Sequence, residues 1–275
     1  MPSGSIEEQP GGASVSYALP PGQVTILTEE LLAARTMNVS SQHRFVTVEV
    51  DSGETYANLG RHIEREVFEA AFGNTADAMI KEYAPYEASS SFFLSVDRAK
   101  ARITGVLRVI KNSPNGFKTL DDLSKEPFNI SKQEALSYHS IDNLDEVWDV
   151  GTVAVIPDYR SGEGPVSIQL YRAMYLSAVN HSIEHLVSII DEGPLKKMKE
   201  LLGIPFVPLA GAEPQPYLGS ESSQPVYGYV PEFYEKMSRH EKTFKMRAAS
   251  LVGLVGDALK RLVHGSADDS IVLKD

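Results

Sequence analysis

Residues 153–164 read VAVIPDYRSGEG, and how this stretch is read decides the fold. Residues 147–156 (VWDVGTVAVI) form an apolar run of strand length that stops at Pro157. Ser161-Gly162-Glu163-Gly164 follows as a turn, and Pro165 suits the first turn of a helix that reaches about residue 180. The unit is therefore strand, glycine turn, helix. A helix N-terminus presents unpaired N–H groups and the positive end of its dipole, so it is a ready anion site. Gly162 and Gly164 let the backbone approach a phosphate, and Arg160 adds a cation at the mouth. A P-loop is excluded, because Pro165-Val166 stands where Lys and Ser or Thr are required. A dinucleotide fingerprint lacks its third glycine, although Asp191 lies in a plausible place for its acidic residue. A tight turn without ligand is the plain alternative.

Working outward, residues 44–50 (RFVTVEV) alternate as a strand. A helix opens after Ser52-Gly53-Glu54, carries Leu59, Ile63, Val67 and Ala71 on one face, and ends near Gly73-Asn74. Residues 91–96 and 101–110 predict an antiparallel hairpin about a turn at 97–100. Residues 112–129 are loop-like, with one helical turn at Asp121-Asp122-Leu123. After the glycine unit come a strand at 185–190, a short helix at 195–202 stopped by Gly203, and strands at 206–207 and 226–230. Residues 232–263 are helical in pattern, with Leu251, Leu254, Val255, Ala258, Leu259 and Leu262 in one stripe. One mixed sheet flanked by helices accounts for this order.

The composition narrows the function. A net charge of -11 argues against a nucleic-acid binder. The absence of cysteine excludes a disulfide framework, thiolate metal ligation and a cysteine acyl-enzyme. His62, His139, His181 and His185 show no metal-ligand spacing, so no metal is expected. No run approaches the roughly 20 apolar residues of a membrane span. Residues 1–22, rich in Gly, Pro and Ser, do not read as a signal peptide, and a cytoplasmic location is expected. They read as a disordered tail, or else as an extended arm packed on the body.

The 153–164 stretch resembles the acyl-CoA-binding motif of the GNAT acyltransferases, in which a central strand leads into a pyrophosphate loop and helix. In that register Tyr159 occupies the family's Arg/Gln position, and Arg160 falls one place late. Upstream, Glu82-Tyr83-Ala84-Pro85-Tyr86-Glu87 resembles the acidic-aromatic segment of autoinducer (acyl-homoserine-lactone) synthases. Gly105-Val106-Leu107-Arg108 resembles their Gly-x-x-Arg strand, and Val147-Trp148-Asp149-Val150 their Trp-Glu strand. Asp149 replaces the Glu, and Thr152 stands where an Arg is expected. Long-chain N-acyl amino acid synthases share the architecture with a looser motif. The resemblance covers residues 68–209.

It implies a GNAT-like α/β (α+β) fold, with a mixed, mainly antiparallel sheet, over residues 23–230. A helical extension at 231–264 and a flexible tail at 265–275 would follow. It also implies transfer of a fatty acyl group from an acyl-CoA or acyl-carrier-protein thioester to the amine of an amino acid or similar molecule. The rivals are a short-chain acetyltransferase using acetyl-CoA and a silent acyl-ligand-binding protein. Such transfer needs a neutral amine, a polarised carbonyl and a protonated leaving thiol, and no covalent nucleophile. Asp149 is the first candidate base, against the plainer reading that it caps a backbone group or pairs with Arg108. Glu87 is the second candidate base, or else the group that orients Arg108. Arg108 would bind an acceptor carboxylate or pair with Glu82 or Glu87. Backbone N–H groups around Val153 to Val155 would polarise the carbonyl, and Arg160, Ser161, Gly162 and Gly164 would hold the phosphate. Trp148 and Phe92 would line an acyl pocket or belong to the core. The helix at 195–202 lacks the Tyr that many GNAT enzymes use as general acid. Lys242, Lys245, Arg247, Lys260 and Arg261 on the C-terminal helix suit packing on the body, a homodimer mate or a membrane surface.

Overall fold

The computed structural model describes residues 14–160, 166–233, 235–237, 239 and 270–274. In chain order the elements are α1 (Pro21–Arg35), β1 (Phe45–Asp51), α2 (Ala57–Phe72), α3 (Ala76–Tyr83), β2 (Ser90–Asp97), β3 (Arg102–Ile110), α4 (Lys118–Leu123), α5 (Lys132–Tyr138) and β4 (Val147–Val155). Then follow α6 (Val166–Asn180), β5 (His185–Asp191), α7 (Glu192–Lys197), β6 (Val207–Pro208), β7 (Gln215–Tyr217), β8 (Ser220–Tyr229) and β9 (Ile271–Val272). Mixed α/β architecture with a mainly antiparallel sheet is thus observed, as expected. The contacts group into two compact units. Among the described residues one comprises 14–110, 152–160, 166–174 and 270–274, the other 111–151, 175–233, 235–237 and 239.

In the first unit β1 pairs antiparallel with β2 from Phe45↔Asp97 to Asp51↔Ser91, and β2 pairs antiparallel with β3. All eight residues of β2 are buried, which only a sheet covered on both faces allows. Val46, Val48 and Val50 share a core with Leu59, Ile63 and Val67 of α2. That helix ends at Gly73 in the left-handed region (φ 75°), the conformation glycine takes without strain. It starts at Ala57 because Glu54 is used for a turn, its carboxylate accepting the N–H of Asp51 at 3.0 Å. Gly105 of β3 marks a close approach. A Cβ there would lie 2.9 Å from the Ala154 carbonyl oxygen and 2.9 Å from Val166 Cγ1 of α6.

Tyr17 and Leu19 are buried, so residues 14–20 are a docked arm, the second of the two readings of this segment. Ile271 and Val272 form β9, parallel to β1 through Thr47↔Ile271, where a flexible tail was expected. Helix α1 was not foreseen; Pro21 opens it, and only Leu27, Thr28 and Leu31 are buried along it.

In the second unit β4 and β5 run parallel over Val147↔His185 to Asp149↔Val187. At the next position the Ser188 hydroxyl donates to the Val150 carbonyl at 2.8 Å. Strand β5 pairs antiparallel with β8 from His185↔Tyr229 to Asp191↔Ser223, and β6 and β7 flank β8. Helices α4 and α5 close a core of Phe117, Leu120, Leu123, Ala135, Val147 and Val187. The expected helix at 232–263 and the glycine turn at 161–165 lie mainly or wholly outside the described residues. Among the described residues no helix is long and apolar enough to cross a membrane.

Candidate functional site

Arg108, Glu87 and Phe92 lie in a polar cluster of the first unit, and Asp149 and Trp148 in one of the second. In the first unit Arg108 is fully buried on β3. Its Nε donates to Glu64 Oε1 at 3.0 Å, and its Nη2 donates to Glu64 Oε2 and to the Tyr17 hydroxyl, both at 2.6 Å. Its Nη1 lies 3.3 Å from Glu87 Oε2. Glu87 in turn takes Arg61 Nε at 2.7 Å and the Tyr17 hydroxyl at 3.0 Å. The Thr152 hydroxyl donates to Glu64. Two guanidinium groups therefore face two carboxylates, with Arg61, Arg108 and Glu64 fully buried and Glu87 partly exposed.

Arg108 is an ion-pair residue, its carboxylate partners being Glu64 and Glu87 and not Glu82. Burial alone would raise the Glu87 carboxyl, but Arg108 and Arg61 outweigh it and hold the group below its ordinary value. For Arg108, burial opposes the charge and Glu64 more than restores it, so its proton is held well above the ordinary value. Burial pushes the Tyr17 hydroxyl far up, against the pull of Arg108. Phe92 is fully buried, with Arg108 4.5 Å and Arg61 5.2 Å from its ring centroid. It is core here and a plate for two cations. Glu64 escaped the sequence reading. The available signal was Arg61 and Glu64, opposite charges three apart on the α2 face that also carries Ala57 and Gly60.

In the second unit Asp149 is fully buried on β4. Its Oδ2 accepts the Thr119 backbone N–H at 2.6 Å and its Oδ1 the Thr119 hydroxyl at 2.7 Å. Thr119 is the second residue of α4, so Asp149 satisfies an N–H that the helix start leaves without an internal partner. It does not pair with Arg108. Burial pushes the Asp149 carboxyl up to about 6, against the Thr119 hydrogen bonds and nearby Lys118. Lys118 itself holds Asp122 at 2.5 Å and the Tyr217 hydroxyl at 2.8 Å. Trp148 is buried, its ring 5.8 Å from that of His181, with Lys111 Nζ 6.0 Å from its centroid.

The strand leading to the glycine turn presents Val153 and Val155 half-buried, with Ala154 and Ile156 buried between and beyond them. Arg160 is exposed and its Nε donates to the Val155 carbonyl at 2.9 Å. Tyr159 is held elsewhere. Its hydroxyl donates to Asp97 at 2.9 Å and its ring meets Phe45 edge-on at 5.9 Å. Ser161, Gly162 and Gly164 lie outside the described residues.

No family model and no curated protein sequence matches the chain. Solved structures do. FeeM, an N-acyl amino acid synthase from uncultured soil microbes, is 16% identical with a TM-score of 0.54, covering 72% of this chain and 98% of that one. BjaI, a CoA-dependent acyl-homoserine lactone synthase solved with SAM and isopentyl-CoA, is 14% identical at TM-score 0.46, covering 84% and 93%. MesI, another CoA-dependent acyl-homoserine lactone synthase, is 15% identical at TM-score 0.43, covering 83% and 99%. The chain shares the fold of the first of these, an N-acyl amino acid synthase.

Proposed function

We propose that this chain is an N-acyltransferase, moving a fatty acyl group from an acyl-CoA or acyl-carrier-protein thioester to the amine of an amino acid or similar small molecule. The observation that carries the reading is the fold shared with an N-acyl amino acid synthase over 98% of that protein. The sequence resemblance of residues 82–87, 105–108 and 147–150 to the autoinducer synthases, another group of N-acyltransferases, supports it.

In the reaction the amine nitrogen bonds the acyl carbon, the carbon–sulfur bond breaks, and the amine proton leaves as the thiol regains one. Asp149, held near 6, is matched to accept a proton at neutral pH. The Thr119 hydroxyl, already donating to Asp149, is its relay: it gives its proton to the carboxylate as it takes one from the amine. By the sequence motif, the Val153 and Val155 N–H groups would polarise the thioester carbonyl, Trp148 would wall the acyl chain, and Arg160, Ser161, Gly162 and Gly164 would hold phosphate. Tyr159 stands at the motif's Arg/Gln position and is tied to Asp97, which favours the single phosphate of a carrier-protein arm over a pyrophosphate.

The test is thiol release from acyl-CoA and acyl-carrier-protein donors of two to sixteen carbons, with mass spectrometry of products from an amino-acid mixture. Amine-dependent release with an N-acylated product is expected. Release from no donor defeats the reading. In an active chain, rate should rise with pH through about 6, and Asp149→Asn should lose both rate and that limb. An unchanged limb removes Asp149 as the base.

A further inference from the structure

Three side chains that acyl transfer does not use meet at the N-terminal ends of β4 and β5. Glu146 directly precedes β4, Glu184 directly precedes β5, and His185 opens β5. The Val147↔His185 rung and a hydrogen bond from the Glu184 N–H to the Glu146 carbonyl, 3.0 Å, hold the two strand ends side by side. One carboxylate oxygen from each Glu and one ring nitrogen of His185 lie within 4.8 Å of one another.

The two carboxylates lie side by side and, among the described residues, without a Lys or Arg between them. Among the described residues neither Glu146 nor Glu184 pairs with a Lys or Arg. Glu146 accepts from Asn143 at 2.9 Å, and Glu184 from the Tyr229 hydroxyl at 3.4 Å. Half-buried negative charges set together ordinarily require a counter-charge. His185 is nearly buried, and its Nδ1 lies 2.8 Å from the Tyr227 hydroxyl. If Nδ1 carries the proton to that oxygen, Nε2 is left with its lone pair for a cation. Metal-binding histidines are commonly oriented in this way, by a hydrogen bond on the other nitrogen. The anchor is itself fixed, since Tyr227 stacks on His139 at 3.8 Å and the Ala210 N–H holds the His139 ring at 2.9 Å.

The geometry points to a Zn2+ site formed by Glu146, Glu184 and His185, pinning the entry of β4 to that of β5. The site is empty. Zinc–ligand distances of about 2.0–2.2 Å require the three donors to draw closer together, a rotamer adjustment open to half-buried glutamates. An imidazole with two carboxylates suits Zn2+, whereas Mg2+ and Ca2+ take sets of oxygen ligands. Three protein ligands leave a fourth position for water. The inference is independent of the acyl-transfer reading.

Isothermal titration of the metal-free full chain with Zn2+ tests it. One equivalent is expected to bind. Glu184→Gln and Glu146→Gln, each half-buried and outside the core, should fold normally and each weaken binding about tenfold or more, and Tyr227→Phe should weaken it roughly 10- to 100-fold. Absence of stoichiometric binding overturns the proposal. So does tight binding that survives both Gln variants, which would place the ion on other histidines of the seven in the chain. Equal affinity for Mg2+ also overturns it, by reducing the site to a patch of negative charge.

Discussion

Glu64→Gln isolates what the buried charge cluster of the first unit contributes. The native cluster balances Arg61 and Arg108 against Glu64 and Glu87, and both side chains of the Arg108–Glu64 pair are wholly buried. Gln keeps one acceptor oxygen, but its NH2 group turns donors toward a guanidinium that has only donors. Arg108 is left with Glu87 at 3.3 Å, and the cluster carries one uncompensated positive charge. Breaking a buried pair by removing one partner costs about 3–5 kcal/mol. That is a large share of a total stability of about 5–15 kcal/mol. Urea unfolding followed by circular dichroism reads the loss as a lower midpoint. The companion variant, Glu64→Met with Arg108→Met, leaves Arg61 and Glu87 as a neutral pair and fills the space with apolar side chains. It should be more stable than the single variant, since replacing a buried pair by packed hydrophobic groups is often neutral or stabilising. A loss below about 1 kcal/mol in Glu64→Gln, or a double variant weaker than the single, refutes the reasoning.

Three further outcomes follow from other parts of the structure. The Asp149 carboxyl rises on folding from about 3.8 to about 6, so the folded chain binds that proton more tightly than the unfolded one. The stability this supplies is complete below about 4 and lost as pH rises through 6, about 3 kcal/mol in all. Thermal unfolding against pH should show that slope in the native chain and not in Asp149→Asn, and parallel slopes would remove the basis for it. Gly105→Val should destabilise by about 1–3 kcal/mol through overpacking against Ala154 and Val166, whereas Gly22→Ala, with open space around it, should not; equal urea midpoints would contradict the close approach. Tyr17→Phe leaves one Arg108 donor without its acceptor and should cost about 1–3 kcal/mol, whereas an unchanged midpoint would mean that the arm at 14–20 is not docked in solution.

Much of the fold was legible because its signals are local. The strand at 147–156, the hairpin at 91–110 and the Gly73 stop each rest on residues within a few positions of one another. Helix α5 was equally legible but missed: Ser131 and Glu134 form a capping pattern, and the Ser131 hydroxyl accepts the Glu134 N–H at 3.2 Å. Strand β9 was not legible in this way, because two residues become a strand only where the distant edge of β1 is free to receive them. The Arg108 cluster was half legible. Glu87 could be paired with Arg108 from their spacing around a hairpin, but Glu64 and Tyr17 arrive from a helix and an arm 44 and 91 residues away. For the same reason His185 showed no ligand spacing, since Glu146 joins it only through the pairing of β4 with β5.

Several residues that carried the resemblance make structural contacts. Gly105 admits α6, Arg108 pairs with Glu64 and Glu87, and Tyr159 ties the end of β4 to Asp97. Thr152, standing where an Arg was expected, donates to Glu64 and so belongs to the same cluster. A motif composed of such residues reports a fold more directly than a reaction. Asp149 differs. Its geometric work, receiving one N–H at the start of α4, could be done by an Asn, whose amide can donate to a reoriented Thr119 hydroxyl while its oxygen accepts the N–H. An ionisable carboxyl at that position carries a burial cost that capping alone does not require. That excess is the physical reason to look for the chemistry at Asp149 and Thr119 before any other pair in the chain.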